Sequence, residues 1–189
     1  MDVYVSDNSL TSRYRMLSER LQAAGKKSLV RPLHAPILIG ASKHQPASLL
    51  EQAITAGVKD FGENKVQEAA EKWPALKAAH PGIRLHLIGP LQSNKAADAV
   101  ALFDVIQTID REKIVDALAA ALKKQSVGSS RVGESRAAAQ ASGGVGAMPP
   151  SKQFLIQVNI GEEPQKSGVM PADAARLLHY SKEQGLTID

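Results

Sequence analysis

Ile37-Leu-Ile-Gly-Ala-Ser-Lys43 is the stretch on which the fold turns. Ile37, Ile39, Ala41 and Lys43 share one strand parity, and Leu38, Gly40 and Ser42 share the other. The run is therefore apolar on both faces, as expected of a strand in a parallel sheet. It empties into a turn before Pro46, which suits the first turn of a helix carrying Leu49, Leu50, Ala53 and Ile54 and closed by Gly57. Upstream, Tyr14, Leu17, Leu21 and Ala24 recur at helical spacing, with Asn8 or Ser9 as cap and Gly25 as stop.

The same alternation continues downstream. Residues 58–62 read as a short strand, and 65–72 as a helix that Pro74 must end or kink. Residues 84–88 form a third strand, 89–92 a loop, and Ser93 caps a helix reaching Leu102. A fourth strand over 104–109 precedes a helix capped by Asp110, with Ile114, Leu118 and Leu122 on one stripe. A fifth strand spans 154–160, a helix follows over 171–184, and 186–189 open a further strand. Successive β-then-α units leave two architectures, an open doubly wound sheet or a (β/α)8 barrel.

Residues 125–151 break the rhythm. They are rich in Gly, Ser and Ala, include Gly143-Gly144 and Pro149-Pro150, and lack apolar periodicity. Such a composition buries too little to offset its ordering entropy, so a flexible surface insertion is expected. Arg131 and Arg136 within it either meet an anionic partner or are merely solvated. Strands flank it on both sides, so residues 1–189 read as one domain.

Composition narrows the function. With 43% hydrophobic and 22% charged residues in 189, the chain has the makings of an ordinary globular core. The absence of cysteine excludes disulfides, thiolate catalysis and thiolate-bound metals, and the histidines show no metal-ligand spacing. No metal is expected. No stretch is long and apolar enough to span a bilayer, and the first residues carry Asp2 and Asp7 in place of a basic leader, so a cytoplasmic location without membrane contact is expected. The net charge of +4 hints at nucleic acid, but basic residues are scattered among acids and aromatics make up only 4%. No nucleic-acid partner is expected.

Lys43 is the best functional clue. A primary amine at the rim of an apolar cavity loses hydration, which favours its neutral form and lets it attack an aldehyde to give a Schiff base. The plainer reading is a lysine that snorkels to solvent at a strand end.

Several motifs decide between the two architectures. Ile37-Leu-Ile-Gly-Ala-Ser-Lys43, Phe61-Gly-Glu-Asn64 with Val66-Gln-Glu68, His86-Leu-Ile-Gly-Pro-Leu-Gln-Ser-Asn-Lys95, Gln107-Thr-Ile-Asp110, and Gln157-Val-Asn-Ile160 with Lys166-Ser-Gly168 occur in that order. Together they resemble the pyridoxal phosphate homeostasis protein family, single-domain relatives of the amino-terminal barrel of alanine racemase. The resemblance runs from about Leu10 to the last residue. It implies a TIM-type (β/α)8 barrel holding pyridoxal 5'-phosphate as an internal aldimine on Lys43. It also implies a carrier or regulator in vitamin B6 homeostasis without established turnover, and leaves apo forms of enzymes using that cofactor as recipients. A racemase-like enzyme and a non-binding remnant are the alternatives; oligomeric state stays open.

In a barrel the carboxyl ends of the strands form the site, and Lys43, Asn64, residues 89–94, Asp110 and Asn159 fall at such ends. Asn64 binds near the cofactor, caps the helix starting at Lys65, or does both. His86 shares a parity with Ile88 and either lies beside the pyridine ring or is a core histidine satisfied by neighbouring backbone. Ser93 and Asn94 bind through a helix amino-terminus or only cap it. Lys166 is a second amine or a solvated charge. Family members continue through three more strands, whose glycine- and serine-containing loops hold the phosphate. Asp189 stands at the entry to strand six, and Gly161-Glu-Glu163 would repel a dianion, so a partial barrel of about five units with weak or absent cofactor binding is expected.

Overall fold

Apolar parity and helical spacing alternate in the sequence, and strand and helix alternate with them in space. The computed structural model describes residues 9–27, 36–132 and 152–189. Helix α1 (Leu10–Lys27) precedes β1 (Ile39–Ala41), α2 (Ala47–Thr55), β2 (Asp60–Glu63), α3 (Val66–Ala79) and β3 (Arg84–Leu87). A 3-10 turn over Ser93–Lys95 leads into α4 (Ala96–Leu102), then β4 (Val105–Ile109), α5 (Glu112–Val132), β5 (Gln153–Ile156) and α6 (Pro171–Glu183).

All five strands pair in parallel, in the order β1-β2-β3-β4-β5. A doubly wound sheet reverses its strand order at a switch point, and this one does not. Right-handed crossovers without reversal put every helix on one face, which is how a (β/α) barrel is built. The choice left open by periodicity thus falls to the barrel, here as a five-stranded sector.

The core lies between the sheet and its helices. Phe61, Leu85, Leu87, Ile106 and Phe154 point outward into it, meeting Trp73, Leu76, Phe103, Ile114 and Leu118. Trp73 is wholly buried and its ring sits 5.0 Å from that of Phe61. Glycine ends α2 in the expected way: Gly57, at φ 101°, donates to Ile54 and Val58 donates to Ala53, satisfying two orphan carbonyls.

Several expectations need correction. Pro74 does not end α3, which continues to Ala79. Its ring is exposed, while buried Trp73 and Leu76 on either side anchor the helix to the core and offset the lost backbone bond. Helix α1 passes through Gly25 to Lys27. Ser9 is the cap, its Oγ accepting from Ser12 N–H at 3.3 Å, and Asn8 lies outside the described residues. Residues 125–132, expected as loop, belong to α5, and the remainder of that segment, 133–151, lies outside the described residues. The fifth strand stops at Ile156, and Val158 then bridges Val169. At residues 186–189, Leu186 is buried and Asp189 N–H bonds the Phe154 carbonyl at 3.0 Å, one contact alongside β5 and short of a strand.

Candidate functional site

The carboxyl ends of the strands carry the expected polar residues, and the turn after β1 is the most strongly held among them. Gln45 N–H bonds the Ser42 carbonyl at 3.1 Å and closes a turn that presents Lys43 to solvent. Among the described residues, no carboxylate pairs with the Lys43 amine. The backbone beneath it is pinned on several sides. Ser42 N–H bonds the Gly62 carbonyl at 2.9 Å, and the Ser42 hydroxyl lies 3.1 Å from that carbonyl and 2.9 Å from Glu63 Oε1. His44, at φ 60°, adopts a left-handed conformation uncommon for residues other than glycine. Its N–H donates to Glu68 Oε1 at 2.5 Å.

Lys72 joins these contacts. From α3 its ammonium reaches Glu63 Oε1 at 2.8 Å, Glu68 Oε1 at 2.9 Å and the Ser42 carbonyl at 3.2 Å. Trp73 Nε1 donates to the same Glu63 oxygen at 3.0 Å. Burial works against the Lys72 charge, but the hydrogen bonds to Glu63 and Glu68 outweigh it and raise its pKa. The Glu68 pKa is lowered, first by the His44 N–H and then by Lys72. Both groups stay ionised at neutral pH, and a charge-assisted network holds the turn. Sequence reasoning missed it. The Glu68–Lys72 spacing of four was a visible signal, but the link to Glu63 and Ser42 exists only once β1, β2 and α3 are adjacent.

The inner face of the sheet, away from the helices, is more polar than two-faced apolar strands suggest. His86 Nε2 lies 2.9 Å from Asp60 Oδ1, and Gln107 Nε2 lies 3.0 Å from His86 Nδ1. Arg84 reaches Asp60 at 3.6 Å and Gln153 at 2.6 Å. These groups offset one another's burial. Desolvation lowers the His86 pKa, with Asp60 opposing, so the ring is neutral near pH 7. Its neighbours then assign the tautomer: Nε2–H donates to Asp60 and Nδ1 accepts from Gln107. His86 therefore faces inward, satisfied by side chains instead of backbone.

The other candidates sit on loops around the same rim. Asn64 lies just past β2, half-buried, but Lys65 takes the cap position of α3 without a side-chain bond. The backbone of Asn64 is instead covered by Gly89, where a Cβ would come within 2.3 Å of the Asn64 carbonyl oxygen. Only glycine permits that approach. Ser93 and Asn94 lie in the 3-10 turn ahead of α4, whose cap position is Lys95, and neither caps it. Asp110 accepts from Arg111 at 2.5 Å, and Arg111 also bonds the Leu91 carbonyl at 3.2 Å. Buried Asn159 folds back the loop after β5, donating to the Glu163 carbonyl at 2.8 Å. Lys166, on that loop, is paired with Glu163 at 2.5 Å. Lys43 and Lys166 thus follow the two edge strands, with the width of the sheet between them.

Comparison with known proteins shows what the chain is similar to. No family model matches the chain. It is 33% identical over 168 residues to the pyridoxal phosphate homeostasis protein of Haemophilus influenzae, covering 87% of this chain and 60% of that protein. It is 32% identical over 171 residues to the protein of that name from Escherichia coli K12, covering 90% and 63%. Over most of its length the chain is similar to the pyridoxal phosphate homeostasis proteins. It spans about three fifths of the length of these relatives. Among solved structures, it resembles PipY of Synechococcus elongatus without PLP, with a TM-score of 0.66 and 28% identity, covering 93% of this chain and 66% of PipY. PipY with PLP bound matches with a TM-score of 0.60 and 27% identity, covering 90% and 63%. The chain therefore resembles in fold a protein whose structure has PLP bound.

Proposed function

We propose that this chain takes up pyridoxal 5'-phosphate on Lys43 and serves intracellular homeostasis of that cofactor, without catalytic turnover. The observation that carries the reading is an amine without a carboxylate partner on a turn pinned to the strand ends. When bound, the cofactor supplies an aldehyde that condenses with a primary amine and releases water. The residues present fit that end of the molecule. Lys43 supplies the amine, Ser42 and His44 fix its backbone, and Asn64, Ser93 and Asn94 offer hydrogen-bonding side chains on the same rim. His86 is one pleat below the rim, where its neutral ring orients Asp60 and Gln107 on the inner face. Lys166 stands apart as a second amine already engaged by Glu163.

The phosphate end is less well served. Arg111 is committed to Asp110 and a carbonyl, Lys166 to Glu163, and the loop after β5 adds Glu162. Neither Arg111 nor Lys166 is free to meet a dianion, so affinity is expected to be low. Turnover is also unsupported, since both nitrogens of His86 are occupied and general acid–base work needs an accessible proton.

The test is chemical. After incubation with the cofactor and reduction by borohydride, peptide mapping is expected to find the label on Lys43 and to lose it in Lys43→Ala. Labelling elsewhere, or none on a folded soluble protein, overturns the assignment. Tight stoichiometric binding contradicts the low-affinity reading, and stereoinversion of alanine or another amino acid contradicts the absence of turnover.

A further inference from the structure

We infer that Glu68 and Lys72, with buried Glu63 behind them, form a positioning device that sets the reactivity of the Lys43 turn. The inference rests on the proposed role of Lys43 as the amine, but its mechanical part stands on contacts of its own. Residues 42–45 are a short connection, and such a segment ordinarily samples many conformers. Here the two residues flanking Lys43 are both captured. On one side the Ser42 carbonyl accepts from Lys72 at 3.2 Å, and the Ser42 hydroxyl lies 2.9 Å from Glu63. On the other the His44 N–H is 2.5 Å from Glu68, holding a φ of 60° that this residue would otherwise leave.

Lys72 makes the two captures one. Its ammonium bonds the carboxylates of both Glu63 and Glu68 as well as the Ser42 carbonyl, with the Gln45 carbonyl more distant at 3.5 Å. Glu63 is fully buried and tied to Trp73, which roots the assembly in the core. Neither Glu68 nor Lys72 needs to touch the cofactor. Their effect is to confine the backbone at 42–44, and so to limit the arcs the Lys43 side chain sweeps. A positioned amine meets the aldehyde in fewer unproductive poses.

Glu68→Ala is the first test, because Glu68 is part-exposed and its removal leaves Lys72 still paired with buried Glu63. Hydrogen exchange of the His44 amide is expected to quicken about tenfold or more, as loss of a charge-assisted bond implies. Borohydride-fixed labelling of Lys43 is expected to slow by a similar factor, while the thermal midpoint stays close to wild type. Glu68→Gln keeps an acceptor for the His44 N–H and is expected to restore most of both signals. Lys72→Met, which strands a buried carboxylate, is read only by exchange at 42–45 relative to β3 and β4 amides. Unchanged exchange at His44 in Glu68→Ala overturns the device. Altered exchange with wild-type labelling of Lys43 overturns its control of reactivity. If wild-type protein is not labelled on Lys43, the proposed function fails, and the exchange data still decide whether the turn is held in this way.

Discussion

His86 is neutral because it is buried, and that costs stability in acid. Desolvation depresses its pKa from the ordinary 6.5, with Asp60 pulling upward and Arg84 downward. The unfolded chain then binds the proton more readily than the folded one, so stability is fully present above about pH 6.5 and falls as pH drops below it. Replacing His86 by Gln keeps a donor and an acceptor between Asp60 and Gln107 but removes the titration. The urea midpoint of His86→Gln is expected to vary less between pH 7 and 5 than that of wild type, and equal slopes would refute the assignment. At this scale the sequence placed Lys43, Asn64, Ser93 and Asn94 at the rim by their offset from strand ends and Lys166 on the loop after the fifth strand, and it left His86 open between an inner-face and a core role. It was silent on Glu63 and Lys72, whose meaning lies in a contact between residues nine apart on different elements.

Helix α3 carries its own contradiction. Pro74 deprives it of a backbone donor and crowds the preceding turn, a penalty of about 3 kcal/mol relative to Ala in a helix interior. Trp73 and Leu76 keep the helix seated regardless, since both are buried against the sheet. Because Pro74 itself is exposed, Pro74→Ala is expected to stabilise the protein by about 1–2 kcal/mol, the restored helix bond being partly offset by a freer unfolded chain. A chemical denaturation curve with an unchanged or lower midpoint would show that the proline is accommodated without strain. Local rules read α2 correctly, from its loop entry to Gly57, because each of its signals is contained within the segment. They misjudged α3 because packing overrides propensity where a side chain has a core to enter.

The described molecule is a five-stranded parallel sector with its helices on one side and a single apolar core between them. Helix α1 is seated lightly, with no buried residue and Tyr14 packed against the edge of the core, while Trp73, the only tryptophan, lies at the centre. Urea unfolding followed by Trp73 fluorescence is expected to report one transition. Far-UV circular dichroism is expected to add an earlier, smaller phase from α1, and full coincidence of the two curves would mean that α1 unfolds with the core. The order of amino acids alone dictated the alternation of strands and helices and the placement of Lys43 just past a strand end, because periodicity and turn chemistry are local, whereas β1, expected to be buried on both faces, is half-buried at Ile39 and Gly40 and exposed at Ala41. The unreversed strand order, the polar inner face around His86 and the clamp on the Lys43 turn were decided only in three dimensions. Each depends on hydrogen bonds and ion pairs between segments distant in the chain, whose strength comes from the burial that folding creates.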